Sequence, residues 1–103
     1  MAEKKNAEVI GMQALGMIET RGLVASIEAA DAMAKSSNVD VLQKRKIGGG
    51  YITVMVRGDV GAVRTALGAG RNAAGKIAGV VSTRIIPGPH FDLEKLLPEA
   101  VAE

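Results

Sequence analysis

The chain has 103 residues, 48% of them hydrophobic, and this length suits a single domain. Thirteen basic and eleven acidic residues give a formal net charge of +2, so the charge balance gives no reason to expect nucleic acid as a partner. Cysteine is absent, which excludes disulfides, zinc–thiolate sites and thiol nucleophiles and fits a reducing, cytoplasmic location. No uncharged run approaches the roughly 20 residues that a membrane-spanning helix needs, so we expect no membrane partner.

The first predicted elements are a strand and an amphipathic helix. Residues 1–13 are charged and short of bulky side chains, and we expect a flexible extension there. The segment ALGMIE, which begins at Ala14, predicts a strand, and Thr20 is a candidate cap for the helix after it. Within residues 22–37, apolar side chains recur at helical spacing and predict the buried face of this helix. They are Leu23, Ile27, Ala30 and Ala34.

A glycine-rich hairpin is predicted next. The segments VDVLQKRKIG, from Val39, and YITVMVR, from Tyr51, alternate between apolar and polar residues as strands do. A run of three glycines, residues 48–50, joins them as a hairpin turn. In the second strand the alternation predicts two faces, one with Ile52, Val54 and Val56 and the other with Tyr51, Thr53 and Arg57.

The last predicted elements complete a split βαβ pattern. Asp59 is a candidate N-cap for a second helix. VVSTRIIP, residues 80–87, predicts a fourth strand, and DLEKLLPEAVAE, residues 92–103, predicts a short terminal helix. The order β-α-β-β-α-β predicts an α/β (α+β) protein with a ferredoxin-like fold. The predicted buried face of the second helix comprises Val60, Val63, Ala66, Leu67, Ala73 and Ala74.

Two glycine motifs suggest nucleotide binding but do not fit their usual context. Residues 70–76, GRNAAGK, match most of a phosphate-binding P-loop, yet Ile77 stands where Ser or Thr would hold magnesium. Residues 68–73 match a loose dinucleotide fingerprint without a strand before them. Both stretches continue the second predicted helix, where small residues favour close packing.

The sequence contains no plausible catalytic or metal-binding constellation. His90 is the only histidine, and with Asp92 nearby it supplies too few ligands for a metal, so a turn residue is the simpler interpretation. We therefore expect no enzyme activity, no metal and no cofactor.

The basic run at residues 44–46 and the glycine run after it leave two interpretations open. Lys44, Arg45 and Lys46 lack the stacking aromatics that single-stranded nucleic acid favours, so they indicate either a solvated strand edge or an assembly interface or pore. Residues 48–50 form either a flexible turn or a bare-backbone loop that approaches symmetry mates or a ligand closely.

Several segments in order resemble the single-domain BMC family of bacterial microcompartment shell proteins. They are ALGMIETRGLVASIEAADAMAKSSNV from Ala14, KIGGGYITVMVRGDVGAV from Lys46, IIPGPH from Ile85, and LEKLLP from Leu93. The resemblance covers about residues 14–98, which we take as the shell domain, with residues 99–103 as a tail.

The resemblance implies a structural role. Family members form cyclic hexamers shaped as flat discs, and the discs tile with other shell proteins into a shell around encapsulated enzymes. Small polar metabolites cross a pore on the six-fold axis. The matching pore residues here are Lys46, Ile47, Gly48, Gly49 and Gly50.

The resemblance also implies an edge where neighbouring discs meet. The edge lysine and asparagine of the family match Lys35 and Asn38, and the following edge positions are Gly88 and His90. Two positions depart from the usual pattern: Gly49 replaces a serine in the pore loop, and Gly88 replaces an arginine between two prolines. The second departure predicts weaker or differently angled tiling.

Two other functions remain as alternatives. One is a small regulatory ferredoxin-like oligomer that binds a metabolite between subunits, and the other is a nucleotide-using enzyme built on the glycine-rich helix. Discs, sheets or tubes in electron micrographs favour the shell, and a discrete dimer or trimer favours the regulator.

Overall fold

The computed structural model describes residues 13–42 and 45–88 of the chain. The predicted terminal helix, His90 and most of the predicted extension lie outside these residues. Five strands and two helices follow one another in the described part. They are β1 (Ala14–Arg21), α1 (Leu23–Ser36), β2 (Asp40–Val41), β3 (Arg45–Gly48), β4 (Tyr51–Gly58), α2 (Val60–Gly75) and β5 (Val80–Ile86).

The strands form one antiparallel sheet in the order β2-β4-β1-β5, and β3 pairs with β4 as well. The two central strands, β1 and β4, pair over their whole length, from Ala14 opposite Gly58 to Arg21 opposite Tyr51. The predicted first strand of the hairpin is thus two short strands on the same side of β4. This arrangement is the predicted ferredoxin-like fold.

Both helices pack on one face of the sheet. α1 contacts β4, β2 and β1, while α2 contacts β1, β5 and β4, so the two helices lie side by side with α2 nearer β5. The core between the layers is built from small and branched side chains. As alternation predicted, Ile52, Val54 and Val56 are buried.

Gly16 permits the close approach of α2 to β1. A Cβ at this position would stand 2.5 Å from Cγ1 of Val63 on α2 and 3.0 Å from Cγ2 of Val56 on β4. Any larger residue at position 16 would therefore clash with Val63 and prevent α2 from packing this closely on β1.

The predicted buried face of α1 is wrong. Leu23, Ile27 and Ala34 are exposed and Ala30 is half-buried, whereas the buried residues are Ala25, Ser26, Ala29 and Met33. Both sets have helical spacing, so periodicity alone could not separate them. Ala29 and Met33 lie against Gly70 of α2, where a Cβ would stand 3.5 Å from the carbonyl oxygen of Ala29 and 2.8 Å from Cγ of Met33. These two residues therefore belong to the contact between the helices.

The helix starts differ in part from the predictions. α1 begins after Gly22, and Thr20 lies buried in β1, where its hydroxyl donates to the carbonyl of Ile52 at 3.5 Å. Asp59 does occupy the N-cap position of α2, although its side chain makes no capping hydrogen bond. Val60 was predicted to be buried but is exposed.

α2 contains the glycine stretch that matched nucleotide motifs. The helix runs to Gly75, so residues 68–75 are helical and form no phosphate-binding loop after a strand. The predicted face is otherwise largely correct: Val63, Ala66, Leu67 and Ala74 are buried.

The opposite face of the sheet holds a second apolar cluster of Leu15, Leu42 and Met55. Beside it lies Arg57, whose side chain is only 4% exposed although its position had suggested a polar face. Its guanidinium donates to the carbonyls of Ala14, at 3.3 Å, and Gln13, at 3.1 Å. These bonds satisfy donors that would be costly to bury unpaired.

Candidate pore loop and assembly surfaces

Residues 48–50 form the turn between β3 and β4. All three glycines are exposed and have positive φ, at 92°, 63° and 83° for Gly48, Gly49 and Gly50. Side chains disfavour this region of backbone space, and only the middle value lies in the left-handed helical region that other residues occasionally adopt. The loop therefore needs glycine at its first and third positions more strictly than at Gly49.

Lys46 and Ile47 lead into this loop. Lys46 pairs with Ile52 and Gly48 pairs with Tyr51, so the register skips Ile47 and leaves it at a bulge. The side chains of both Lys46 and Ile47 are exposed. The five predicted pore residues thus form one continuous exposed segment, with a single cation next to bare backbone.

The loop is fastened to the start of α1. The backbone N–H of Gly22 donates to the carbonyl of Gly50 at 2.7 Å. One step along each strand, the Arg21 guanidinium donates to the Tyr51 hydroxyl at 3.2 Å and lies 5.5 Å from the centre of the Tyr51 ring. The glycine loop and the N-terminus of α1 are therefore neighbours.

Lys35 lies at the other end of α1. Its ammonium forms an ion pair with Asp31 at 2.9 Å, and its side chain is 75% exposed. The hydrogen bond and the charge of Asp31 raise the pKa of Lys35 above its ordinary value, so the side chain is charged at neutral pH. Since α1 rises about 1.5 Å per residue, Lys35 stands about 20 Å along the helix from the glycine loop.

Two further predicted edge positions are described. Asn38 is exposed just after α1, and the neighbouring Ser37 hydroxyl donates to the carbonyl of Ala62 at 2.7 Å, which fixes the end of α1 to the start of α2. Gly88 is exposed, and nothing lies within 4 Å of where its Cβ would be. His90 lies outside the described residues.

Sequence reasoning missed an apolar patch on α1. Leu23, Val24 and Ile27 are 52%, 61% and 48% exposed, and Glu28 and Asp31 continue the exposed surface toward the C-terminus of the helix. We call these five residues the α1 patch. The sequence analysis placed Leu23 and Ile27 on the buried face, because helical spacing alone does not distinguish an apolar stripe in the core from one on the surface.

A groove lies at the opposite edge of the molecule, between α2 and β5. Its volume is about 530 Å³ and its wall includes the apolar side chains of Leu67 and Ile85. Three arginines line it: Arg64, Arg71 and Arg84. We call this the arginine groove. Among residues 13–42 and 45–88, Arg71 donates to the Thr83 hydroxyl at 3.2 Å and no ion pair joins these arginines to an acidic side chain.

The described part of the chain has no cluster of three or more histidine, cysteine or acidic residues that could hold a metal. Within the same residues, no helix has the length and apolarity needed to cross a membrane.

The described residues form a small α/β domain, a ferredoxin-like sandwich with an exposed glycine loop. Comparison with known protein families identifies the family: residues 14–89 match the BMC domain. The chain belongs to the BMC-domain family.

The relatives are curated shell proteins. The chain is 54% identical over 91 residues to the bacterial microcompartment shell protein PduA of Salmonella typhimurium, covering 88% of this chain and 97% of that one. It is 56% identical over 87 residues to the microcompartment shell protein EutM of Escherichia coli K12, covering 84% and 90%. It is 50% identical over 95 residues to the major carboxysome shell protein CsoS1A of Halothiobacillus neapolitanus, covering 91% and 96%.

A solved structure supports the fold. A microcompartment protein from Desulfitobacterium hafniense DCB superimposes with a TM-score of 0.70 at 35% sequence identity. The match covers 77% of this chain and 43% of that longer chain.

Proposed function

We propose that this chain is a structural, non-catalytic subunit of a bacterial microcompartment shell, forming cyclic hexamers that tile edge to edge around a central pore. The observation that supports the proposal most strongly is the distance between the predicted pore residues, 46–50, and the predicted edge residue Lys35. The glycine loop adjoins the start of α1, and Lys35 lies about 20 Å away at its end. A disc needs this separation, with the pore residues at its axis and the edge residues at its rim.

The two edges of the molecule support a ring. A cyclic oligomer is held by heterologous contacts, in which one surface of a subunit meets a different surface of the next. The helix α1, which carries the patch, packs on β4, β2 and β1, whereas the arginine groove lies between α2 and β5. The patch is apolar and acidic, the groove is apolar and basic, and we assign them to opposite sides of the same subunit contact.

The loop supports passage of small polar or anionic metabolites. Six copies of residues 48–50 around an axis would place backbone amides and carbonyls at the rim, with Lys46 as the nearest charge in sequence. Successive glycines with positive φ can aim several N–H groups at one anion. The chemistry inside the compartment belongs to the enclosed enzymes, which are partners of the shell.

Metabolite flux into assembled compartments tests the pore. Gly49→Leu places six bulky apolar groups at the proposed constriction and is expected to slow polar solutes while hexamers persist. Gly49→Ala is the matched control, because it places a side chain at the same positive φ without the bulk of leucine. Normal flux through Gly49→Leu shells would remove the loop from the transport route.

The oligomeric state tests the shell itself. We expect sedimentation to give hexamers and electron microscopy to show discs, sheets or tubes of the full chain. A discrete dimer or trimer that binds a metabolite stoichiometrically would instead support the regulatory oligomer.

A further inference from the structure

We infer that Tyr51 positions the glycine loop and that Arg21 holds Tyr51 in place for that task. The link to transport rests on the proposed function, because it matters for the pore only if residues 48–50 line it. The contact itself is a property of the folded chain and can be tested independently.

The side of Gly49 on which a side chain would lie faces the ring of Tyr51. A Cβ on Gly49 would stand 3.4 Å from Cδ2 and Cε2 of the Tyr51 ring, at ordinary packing distance. Apart from their neighbours in the chain, the corresponding positions on Gly48 and Gly50 have nothing within 4 Å. The ring of Tyr51 therefore bounds one side of Gly49 at the tip of the loop.

Arg21 fixes this ring from the neighbouring strand. Arg21 is the register partner of Tyr51, and its guanidinium lies 5.5 Å from the ring centre, within the range of a cation–π interaction. It also donates to the hydroxyl of the same residue at 3.2 Å. A contact to both the ring and its hydroxyl restricts the side-chain torsions of Tyr51.

The backbone adds a second fastening at the same point. The N–H of Gly22 donates to the carbonyl of Gly50 at 2.7 Å. Arg21 and Gly22 thus contact Tyr51 and Gly50, which are also consecutive in the chain. Three successive glycines lose more conformational freedom on ordering than other residues do. A loop with no side chains of its own needs such outside contacts to keep one conformation.

The consequence for the pore is a defined rim. A turn that fluctuated freely would give an opening of variable width. Six loops, each held beside an ordered Tyr51 side chain, would give one width and one set of amide directions. Tyr51 and Arg21 thus act as positioning residues through the loop.

Hydrogen exchange of the full-length assembled protein tests the contact. Tyr51→Leu removes the ring, Tyr51→Phe keeps it and removes the hydroxyl, and Arg21→Gln removes the cation. In Tyr51→Leu we expect the Gly22 amide to exchange about fivefold faster. The variant loses the ~1 kcal/mol that an exposed cation–π contact contributes, and this loss makes local opening about five times more frequent. Tyr51→Phe should restore most of the protection, and the Leu67 amide within α2 should exchange as in the wild type.

Tyrosine fluorescence gives a signature that general stability would not move. Tyr51 is the only tyrosine and the sequence has no tryptophan, so the emission anisotropy reports on this ring alone. In Arg21→Gln we expect the anisotropy to fall while hexamers persist. Unchanged anisotropy in Arg21→Gln, or unchanged Gly22 exchange in Tyr51→Leu, would overturn the inference.

Loss of the loop contact and loss of the pore can be distinguished by experiment. If exchange rises in Tyr51→Leu but flux stays normal in both Tyr51→Leu and Gly49→Leu, the loop contact stands and the pore assignment falls. If Gly49→Leu slows flux while Tyr51→Leu changes neither exchange nor flux, the pore stands and Tyr51 does not position it.

Discussion

Replacement of Gly16 by alanine should destabilise the domain by about 1–3 kcal/mol, the range for overpacking a well-packed core. The new Cβ would lie 2.5 Å from Cγ1 of Val63, 3.0 Å from Cγ2 of Val56 and 3.3 Å from Cδ1 of Leu67. Val63 and Val56 are completely buried, and valine is stiff at χ1. Neither can rotate away cheaply, so α2 must rise from β1.

Two other glycines provide matched controls on α2. Gly61→Ala, outside the arginine groove, has open space around the new Cβ and should stabilise the chain by up to ~1 kcal/mol, because alanine has the higher helix propensity. At Gly70 the Cβ would meet Cγ of Met33 at 2.8 Å, but methionine is flexible and the same propensity gain applies. Gly70→Ala should therefore fall between the other two variants.

Urea unfolding followed by circular dichroism checks the ranking. All variants must be compared at one protomer concentration, because the stability of an oligomer depends on it. In thermal unfolding, each kcal/mol should lower the midpoint of a domain this size by about 4–8 °C. If Gly16→Ala unfolds at the wild-type midpoint, or later than Gly61→Ala, the close approach of α2 does not depend on Gly16.

Three further outcomes follow from the exposed surfaces. Lys35→Ala should leave the hexamer intact in sedimentation but weaken sheets or tubes in electron micrographs, and unchanged sheets would remove the residue from the edge. Asp31 raises the pKa of Lys35, so the lysine stays charged below that pKa and loses its charge as the pH rises through it. Light scattering should therefore show that association through the edge does not change near neutral pH and is lost only in strong alkali. Ile27→Glu should dissociate the ring while Ile27→Val preserves it, since Ile27 is exposed in the isolated chain and not needed for its core; a stable Ile27→Glu hexamer would place the subunit contact elsewhere.

The sheet could be predicted from the sequence because strand alternation has few solutions. In β4, placing Ile52, Val54 and Val56 on one face forces Tyr51 and Thr53 onto the other, and the structure agrees. The buried face of a helix is harder to predict, because two different sets of apolar residues in α1 both recur at helical spacing. The stripe with larger side chains was the natural choice for the core, but it contains Leu23 and Ile27, which are exposed.

Long-range contacts explain the features that local patterns missed. Arg57 is buried because the carbonyls of Gln13 and Ala14, more than 40 residues earlier, receive its guanidinium. The arginine groove likewise combines residues of α2 and β5, whose joint surface no single periodic segment reveals. For the candidate site, the glycine run indicated an unusual loop, but the proposals that this loop lines a pore and that Lys35 lies at an edge came from the family resemblance.

Gly88 offers the sharpest test of the proposed edge, because the family usually carries arginine at this position between two prolines. The residue is exposed, no atom lies within 4 Å of a new Cβ, and its φ lies outside the range that side chains avoid. Gly88→Arg can therefore fold without strain and extend a guanidinium toward a neighbouring disc. If the resemblance assigns the edge correctly, each new hydrogen bond of ~0.5–1.5 kcal/mol should lower the concentration at which sheets appear by roughly 2- to 10-fold. Gly88→Ala is the control for reduced backbone freedom, and light scattering with electron microscopy measures the threshold. If Gly88→Arg and Gly88→Ala assemble at the same concentration, this position does not lie where discs meet, and the tiling must use a different edge from the one the family uses.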